Sequence, residues 1–287
     1  GITIDEAAQK IYFDLDDFYA GLEKYFENSE NHDYLSITPD YSVVYHEFLK
    51  RPDLGSHYAI RGQQIGPISF GMKITDKDKK PIIYNNEIKQ FLYDFMARKA
   101  NVQFHQLREK NPNAFVWIDE PGLQILFGSF TGYSSNVAKE DFKGFLGNLE
   151  GPKGVHLCGN PDWSFLLEGL DLDILSIDVF ANGPIFTKYS EQIKAFLERG
   201  GIISWGLVPT LTEELVSESV DSLQNRLEEM WDYLDKHGID KGLILKQAWL
   251  APARCCLVNA DGAKSVEKSY AVMRELAERL KDKYNLD

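Results

Sequence analysis

Five side chains that can bind a metal ion stand at the ends of predicted strands. His156 and Cys158 close one apolar run, and Asp178 closes the next. Cys255 and Cys256 follow the last run. Residues two apart on an extended segment point to the same face, so His156 and Cys158 can share one ion. Thiolates with an imidazole select zinc over magnesium or calcium, and the pattern therefore indicates a zinc-like site.

A structural role for the same residues stays open on spacing alone. Cysteine is among the most often buried residue types, and a histidine beside a strand is often a hydrogen-bonded core residue. The third and fourth ligands of the site lie far from His156 in the sequence. Two adjacent thiols, as in Cys255 and Cys256, rarely reach one ion.

Two neighbouring acids, Asp119 and Glu120, follow the apolar segment 115–118. Adjacent side chains on a strand point in opposite directions, so we expect only one of them to face a site. That carboxylate could hold a substrate ammonium group, or it could cap a turn or a helix. The sequence contains no G-x-G-x-x-G, P-loop or G-x-S-x-G motif, which weakens nucleotide-binding and serine-hydrolase interpretations.

The composition limits the partners and the compartment. Asp and Glu number 44 against 31 Lys and Arg, which gives a formal net charge of −13. Because polyanions are bound by dense cationic surfaces, this balance argues against nucleic acid and anionic membranes as partners. Three cysteines in 287 residues do not form a disulfide framework. With no secretory signal and no apolar stretch of about 20 residues, we expect free thiols in a cytoplasmic protein.

From about residue 60, apolar runs alternate with amphipathic segments. The predicted strands are 34–37, 65–72, 114–118, 154–158, 174–178, 202–207 and 243–248; the predicted helices are 8–26, 42–49, 86–109, 162–170, 189–199, 212–237 and 263–284. Near-continuous apolar strands followed by helices are typical of parallel sheets. We therefore predict an α/β fold, a (β/α)8 TIM barrel forming one domain over residues 1–287, with 1–60 as its more polar N-terminal part. Seven predicted strands lead us to expect a first strand before Gly1.

The separated motifs, taken in order, resemble a known family. They are Ile118-Asp119-Glu120-Pro121, His156-x-Cys158-Gly159-Asn160, Leu175-Ser176-Ile177-Asp178, Ser204-Trp205-Gly206, and Pro252 shortly before Cys255. This series is similar to the C-terminal catalytic barrel of cobalamin-independent methionine synthase. From about Gly62 onwards the chain also resembles the short, single-barrel core methionine synthase-like proteins of the uroporphyrinogen decarboxylase/methionine synthase superfamily.

The resemblance implies a zinc-dependent methyltransferase, in which zinc holds a thiol such as homocysteine as the nucleophilic thiolate. By position, it implies His156, Cys158 and Cys255 as zinc ligands and Asp119 as the acid that binds the substrate ammonium. Asp178 stands where the full-length enzymes use a longer Glu ligand. Cys256 stands where the family pattern has glycine, and it is an alternative to Cys255 as ligand.

The resemblance also bears on the methyl donor. The long N-terminal half of the full-length synthase is missing, which favours a methylated corrinoid protein over methyl-folate as donor. The glycine- and serine-bearing motif that helps to bind homocysteine is not found, which fits either a strand before Gly1 or a different thiol substrate. Two other functions stay open: a uroporphyrinogen decarboxylase-like enzyme, and a non-catalytic zinc- or corrinoid-binding partner.

Overall fold

Short apolar segments form eight strands in the computed structural model, which describes residues 1–7, 10–127, 132–255 and 259–286. The strands are β1 (Ile2–Asp5), β2 (Lys10–Phe13), β3 (Ile60–Ile65), β4 (Ala114–Asp119), β5 (Lys153–Leu157), β6 (Ile174–Asp178), β7 (Ile202–Val208) and β8 (Ala248–Pro252). β1 and β2 pair antiparallel with each other, and β3 to β8 follow in chain order in a six-stranded parallel sheet. The predicted α/β class is confirmed.

In the described ranges, helices lie between the strands from β2 onwards, and a last helix follows β8. They are α1 (Leu15–Asn28), α2 (His32–Leu35), α3 (Val43–Leu49), α4 (Pro67–Lys73), α5 (Asn86–Arg108), α6 (Leu123–Leu126), α7 (Ser135–Gly147), α8 (Ser164–Leu167), α9 (Val179–Phe186), α10 (Ser190–Glu198), α11 (Thr212–Leu215), α12 (Val220–Lys236), α13 (Lys241–Lys246) and α14 (Lys264–Tyr284). None of them combines the length and the apolar character needed to cross a membrane.

The predicted (β/α)8 TIM barrel is wrong. A closed barrel of this type needs eight parallel strands, with the last one paired to the first. In the described part of the chain the parallel sheet has six strands and runs from β3 to β8. β1 and β2 do not extend it, because they pair with each other from Ile2↔Phe13 to Asp5↔Lys10.

Local capping explains why two predicted strands are helical. Residues 34–35 belong to α2, because the Asn31 side chain accepts hydrogen bonds from the backbone N–H groups of Asp33 and Tyr34. Within 243–248, most residues belong to α13, whose start is capped by Asp240 accepting from Leu243 N–H at 2.9 Å. In both segments a polar cap favours a helix over the strand that a short apolar run suggests.

Two further predicted elements have other bounds than expected. The predicted strand 65–72 contains the end of β3 and most of α4, which starts at Pro67 because proline is preorganised for the first helical position. The predicted opening helix begins only at Leu15, after β2. There Asp14 caps α1 by accepting from the N–H groups of Asp16 and Asp17, at 3.0 and 3.2 Å.

The chain divides into two compact units, Gly1–Gly154 and Val155–Asp287. In the first unit, α5 packs against β3 and β4, and all residues of β4 except Asp119 are buried. Helix α5 contributes buried apolar side chains such as Ile88, Leu92 and Met96. This unit therefore has its own apolar core.

In the second unit, β6 is buried along its whole length and β7 along all but its first residue. Trp205 of β7 packs edge to face on Trp231 of α12, with ring centroids 6.1 Å apart. Trp163 contacts Phe186 of α9 in the same way at 5.2 Å. These aromatic contacts hold helices against the strands whose carboxyl ends carry the predicted site.

Candidate functional site

His156 and Cys158 lie side by side at the carboxyl end of β5. His156 Nε2 lies 3.0 Å from Cys158 Sγ, within hydrogen-bonding distance. On the other side of the ring, His156 Nδ1 lies 2.9 Å from the hydroxyl of Ser176 on β6. This second contact orients the ring so that Nε2 faces the thiol. The prediction that both side chains share one face is confirmed.

Cys255 brings a second thiol to Cys158. It follows β8, and its carbonyl accepts a hydrogen bond from Thr210 Oγ1 at 3.1 Å. Burial raises the pKa of Cys158 to about 12; the Cys255 thiol and the Asp178 carboxylate act in the same direction, against a hydrogen bond from the Cys255 backbone. Cys158 is therefore a neutral thiol at pH 7 unless a positive charge stabilises its thiolate.

Asp178 is directed to Arg254 and to the start of α9. The side chain is 1% exposed. One carboxylate oxygen accepts a hydrogen bond from Ala181 N–H at 3.0 Å, and the other lies 3.2 Å from Arg254 Nη2. Burial raises the pKa of Asp178, against the Ala181 hydrogen bond and the positive charge of Arg254. Both oxygens of Asp178 thus have partners other than the thiols.

Arg254 connects Asp178 to a second acid. Its Nη2 lies 3.3 Å from Glu214 Oε1, in addition to the contact with Asp178. The three groups form a charge network in which one guanidinium lies between two carboxylates. Because Arg254 directly precedes Cys255, this network holds the segment that carries the second thiol.

Gly206 allows β8 to approach β7 and β6 closely. It pairs with Asp178 of β6 and with Ala251 of β8, and the register shifts between Gly206 and Val208. A Cβ atom at Gly206 would lie 2.5 Å from the Ile177 carbonyl oxygen and 2.9 Å from that of Pro252. Both distances are shorter than a methyl group tolerates, so glycine is required for this packing.

The donor atoms of His156, Cys158 and Cys255 suit zinc in type. One nitrogen and one sulfur ligand of a tetrahedral zinc ion lie about 3.6 Å apart. Nε2 and Sγ are separated by 3.0 Å, so they would open by about half an ångström around the ion. Among the described residues, no three His, Cys, Asp or Glu side chains are already arranged as a metal site. Cys256 lies outside the described residues.

In the first unit, Asp119 and Glu120 point to different partners, as alternation along a strand predicts. Asp119 Oδ2 accepts a hydrogen bond from the Gln63 side chain of β3. Its Oδ1 is buried and has no hydrogen-bond donor within the described ranges. Burial raises the pKa of Asp119, against the Gln63 hydrogen bond and the charge of Arg61. The unpaired oxygen is suited to accept from an ammonium group.

Glu120 is fully buried and joins β4 to the start of α4. Oε1 accepts from Ile68 N–H at 3.0 Å, and Oε2 accepts from Ser69 N–H at 2.8 Å and from the Ser69 hydroxyl. Gly122 N–H in turn donates to Ser69 Oγ at 2.8 Å. Burial raises the pKa of Glu120 to about 7, against these hydrogen bonds. Its role is to satisfy backbone donors at a helix start.

Sequence reasoning missed three residues that surround the thiols. Ser176 carried a signal, since it is a polar residue two positions before Asp178 on an otherwise apolar strand. Arg254 also carried one, as a charged residue beside a predicted ligand. Glu214 reaches the network from α11, and nothing in its local sequence indicates that contact.

The resemblance to the methionine synthase family depends on these motif residues. No protein-family model matches the chain, and no curated protein matches it in sequence.

Proposed function

We propose that this chain is a zinc-dependent methyltransferase that transfers a methyl group to a thiol such as homocysteine. The observation that carries the proposal is that Cys158 contacts both His156 and Cys255 within one compact unit. A nitrogen and two sulfur donors are the ligand types of a catalytic zinc site that keeps one position for a substrate. The order of the motifs along the chain adds support.

Each side chain has a defined task in this proposal. His156 would bind the ion through Nε2 while Nδ1–H donates to the Ser176 hydroxyl, which fixes the tautomer. Cys158 and Cys255 would bind as thiolates, losing their protons to the solvent. When bound, zinc would lower the pKa of the substrate thiol and hold it as a nucleophile.

We assign Asp178 a positioning role and not that of a fourth ligand. Its two oxygens are used by Ala181 N–H and by Arg254, so it orients the residue that precedes Cys255. Binding of an ammonium group by Asp119, in the other unit, stays a prediction, and its unpaired Oδ1 supports it.

The methyl donor we propose is a methylated corrinoid protein, with methyl-folate as the alternative. Such chemistry needs reduced thiols, which the cytoplasm maintains.

Metal content tests the zinc site. We expect one zinc ion per purified chain, retained in Cys256→Ser and lost in Cys158→Ser and Cys255→Ser. Cys256→Ser is the matched control, because it removes a neighbouring thiol that lies next to the proposed ligand. Cobalt substitution should produce a thiolate-to-cobalt charge-transfer absorption in the wild-type protein only if cysteines bind the ion. Equal zinc content in all variants would refute the assignment.

Activity tests the reaction separately. The zinc-loaded protein is incubated with methylcobalamin and homocysteine, and methionine is measured by mass spectrometry. We expect methionine with wild type and Cys256→Ser, and none with Cys158→Ser. Full zinc occupancy without any methionine would refute the methyltransferase and leave a non-catalytic zinc-binding protein.

A further inference from the structure

A cavity of about 500 Å³ lies within the first unit. Its wall is mainly apolar and aromatic, formed by side chains of β2, α1 and α5 among others. Phe18 contacts Phe91 edge to face with ring centroids 5.0 Å apart, and Phe91 stacks on Phe95 at 5.8 Å. A volume of this size lies in the range of about 300–1,000 Å³ that is common for small-molecule sites.

A lysine side chain stands in this apolar wall. Lys99 of α5 lines the cavity, and none of the described lining residues is acidic. Its Nζ donates to the Leu35 carbonyl oxygen at 2.7 Å and lies 5.7 Å from the centre of the Phe95 ring. Within the described part of the chain, Lys99 forms no ion pair. An ammonium group has three N–H donors, so two of them are available to a ligand.

The surroundings of Lys99 favour an anion over a neutral ligand. Burial lowers the pKa of Lys99, because the charged ammonium group is less well solvated at a half-buried position than in water. A carboxylate bound next to Nζ would neutralise the charge of the ammonium group and accept hydrogen bonds from its remaining N–H groups. Two other polar groups of the wall already have partners: Gln64 Nε2 donates to the Met96 carbonyl oxygen, and the Tyr25 hydroxyl donates to Asp94.

Gly21 marks where the cavity meets α1. It lies three residues after Phe18 and four before Tyr25, so it shares the face of the helix that carries these two aromatic residues. Gly21 lines the cavity, and a Cβ atom added there would meet no atom within 4 Å. Glycine in a helix interior costs about 0.5–1 kcal/mol relative to alanine, so this position keeps space open at the expense of helix stability.

We infer that this cavity binds a small apolar monocarboxylate, with its carboxylate at Lys99 and its hydrocarbon part among Phe18, Phe91 and Phe95. The inference is independent of the proposed methyl transfer, since every residue involved lies in Gly1–Gly154. The charge at Lys99 and the apolar wall can be tested separately.

Calorimetric titration with decanoate and decanol separates the contribution of the carboxylate from that of the hydrocarbon chain. Wild type should bind decanoate at least tenfold more tightly than decanol, because only the carboxylate pairs with Lys99. Lys99→Met keeps the length of the side chain and should remove this difference. Lys24→Met, on the exposed surface of α1, is the matched control and should bind like wild type.

Filling the cavity is the second arm of the test. Gly21→Leu should weaken both ligands at least tenfold, while the thermal midpoint stays equal or rises because a helix glycine is replaced. Gly144→Leu on α7 is the matched control, since a Cβ there also meets nothing within 4 Å and Gly144 does not line the cavity. Absence of decanoate binding, equal affinity for the two ligands, or full affinity in Gly21→Leu would each overturn the inference.

Discussion

Replacing Glu120 by glutamine should change how the stability of the protein depends on pH. The pKa of Glu120 is raised to about 7 from an ordinary value of 4.5, mainly by complete burial. Between these two values the folded state binds more protons than the unfolded state. The free energy of unfolding therefore falls as pH rises through this window, by about 3 kcal/mol in total.

Glu120→Gln removes this titration and one hydrogen-bond acceptor. Ile68 N–H and Ser69 N–H now donate to different oxygens, whereas glutamine offers only one oxygen. Leaving one buried N–H without an acceptor costs about 1–3 kcal/mol. The variant should be less stable than wild type at pH 5 by this amount. At pH 8 the two proteins should have similar stability, because wild type has by then lost about 3 kcal/mol from ionisation.

Urea unfolding at pH 5, 6, 7 and 8, followed by tryptophan fluorescence, measures the free energy of unfolding of wild type and of Glu120→Gln at each pH. The quantity of interest is the difference between the two proteins at each pH, because other acids such as Asp178 titrate equally in both. Glu27→Gln, at an exposed position of α1, is the control and should follow wild type throughout. A constant difference between wild type and Glu120→Gln from pH 5 to 8 would show that the raised pKa of Glu120 does not contribute to stability.

Three further substitutions test individual contacts of the second unit. Asp178→Asn keeps an acceptor for the start of α9 but loses the negative charge opposite Arg254. Urea unfolding should therefore show a free energy of unfolding lower by about 1–3 kcal/mol. The zinc content should stay unchanged if Asp178 only positions Arg254. Ser219→Ala removes the acceptor of the hydrogen bond from Ser222 N–H at the start of α12 and should cost about 1 kcal/mol by the same measurement. Trp163→Ala empties a fully buried position and should cost about 3–5 kcal/mol, seen as a lower thermal midpoint. Full stability in any of the three would contradict the contact described for it.

Long periodic segments of the fold could be predicted from the sequence, and short ones could not. The helix predicted over 86–109 matches α5, and the strand predicted over 174–178 matches β6. Residues 34–37 and 243–248 are short, partly apolar segments of four and six residues, whose pattern fits a helix as well as a strand. In both places the side-chain cap at Asn31 or Asp240 favoured the helix.

Sheet closure could not be predicted, because it depends on which strands meet at the edges. The local sequences of β3 and β8 do not indicate whether these strands pair with further strands to close a barrel.

Similar limits apply to the contacts of the site residues. The contact between His156 and Cys158 follows from a spacing of two residues, whereas Glu120 receives its hydrogen bonds from residues 51 and 52 positions away. Contacts at such separations leave no periodic trace in the sequence.

The close approach at Gly206 changes what counts as the signature of this site. Gly206 contributes no side chain to any reaction, yet it sets how near β8 comes to the carboxyl ends of β6 and β7. A homologous sequence could keep the histidine and every cysteine and still hold Cys255 too far from Cys158 once this glycine is replaced. A search for proteins with the same chemistry should therefore require a glycine at this position together with the ligand motif.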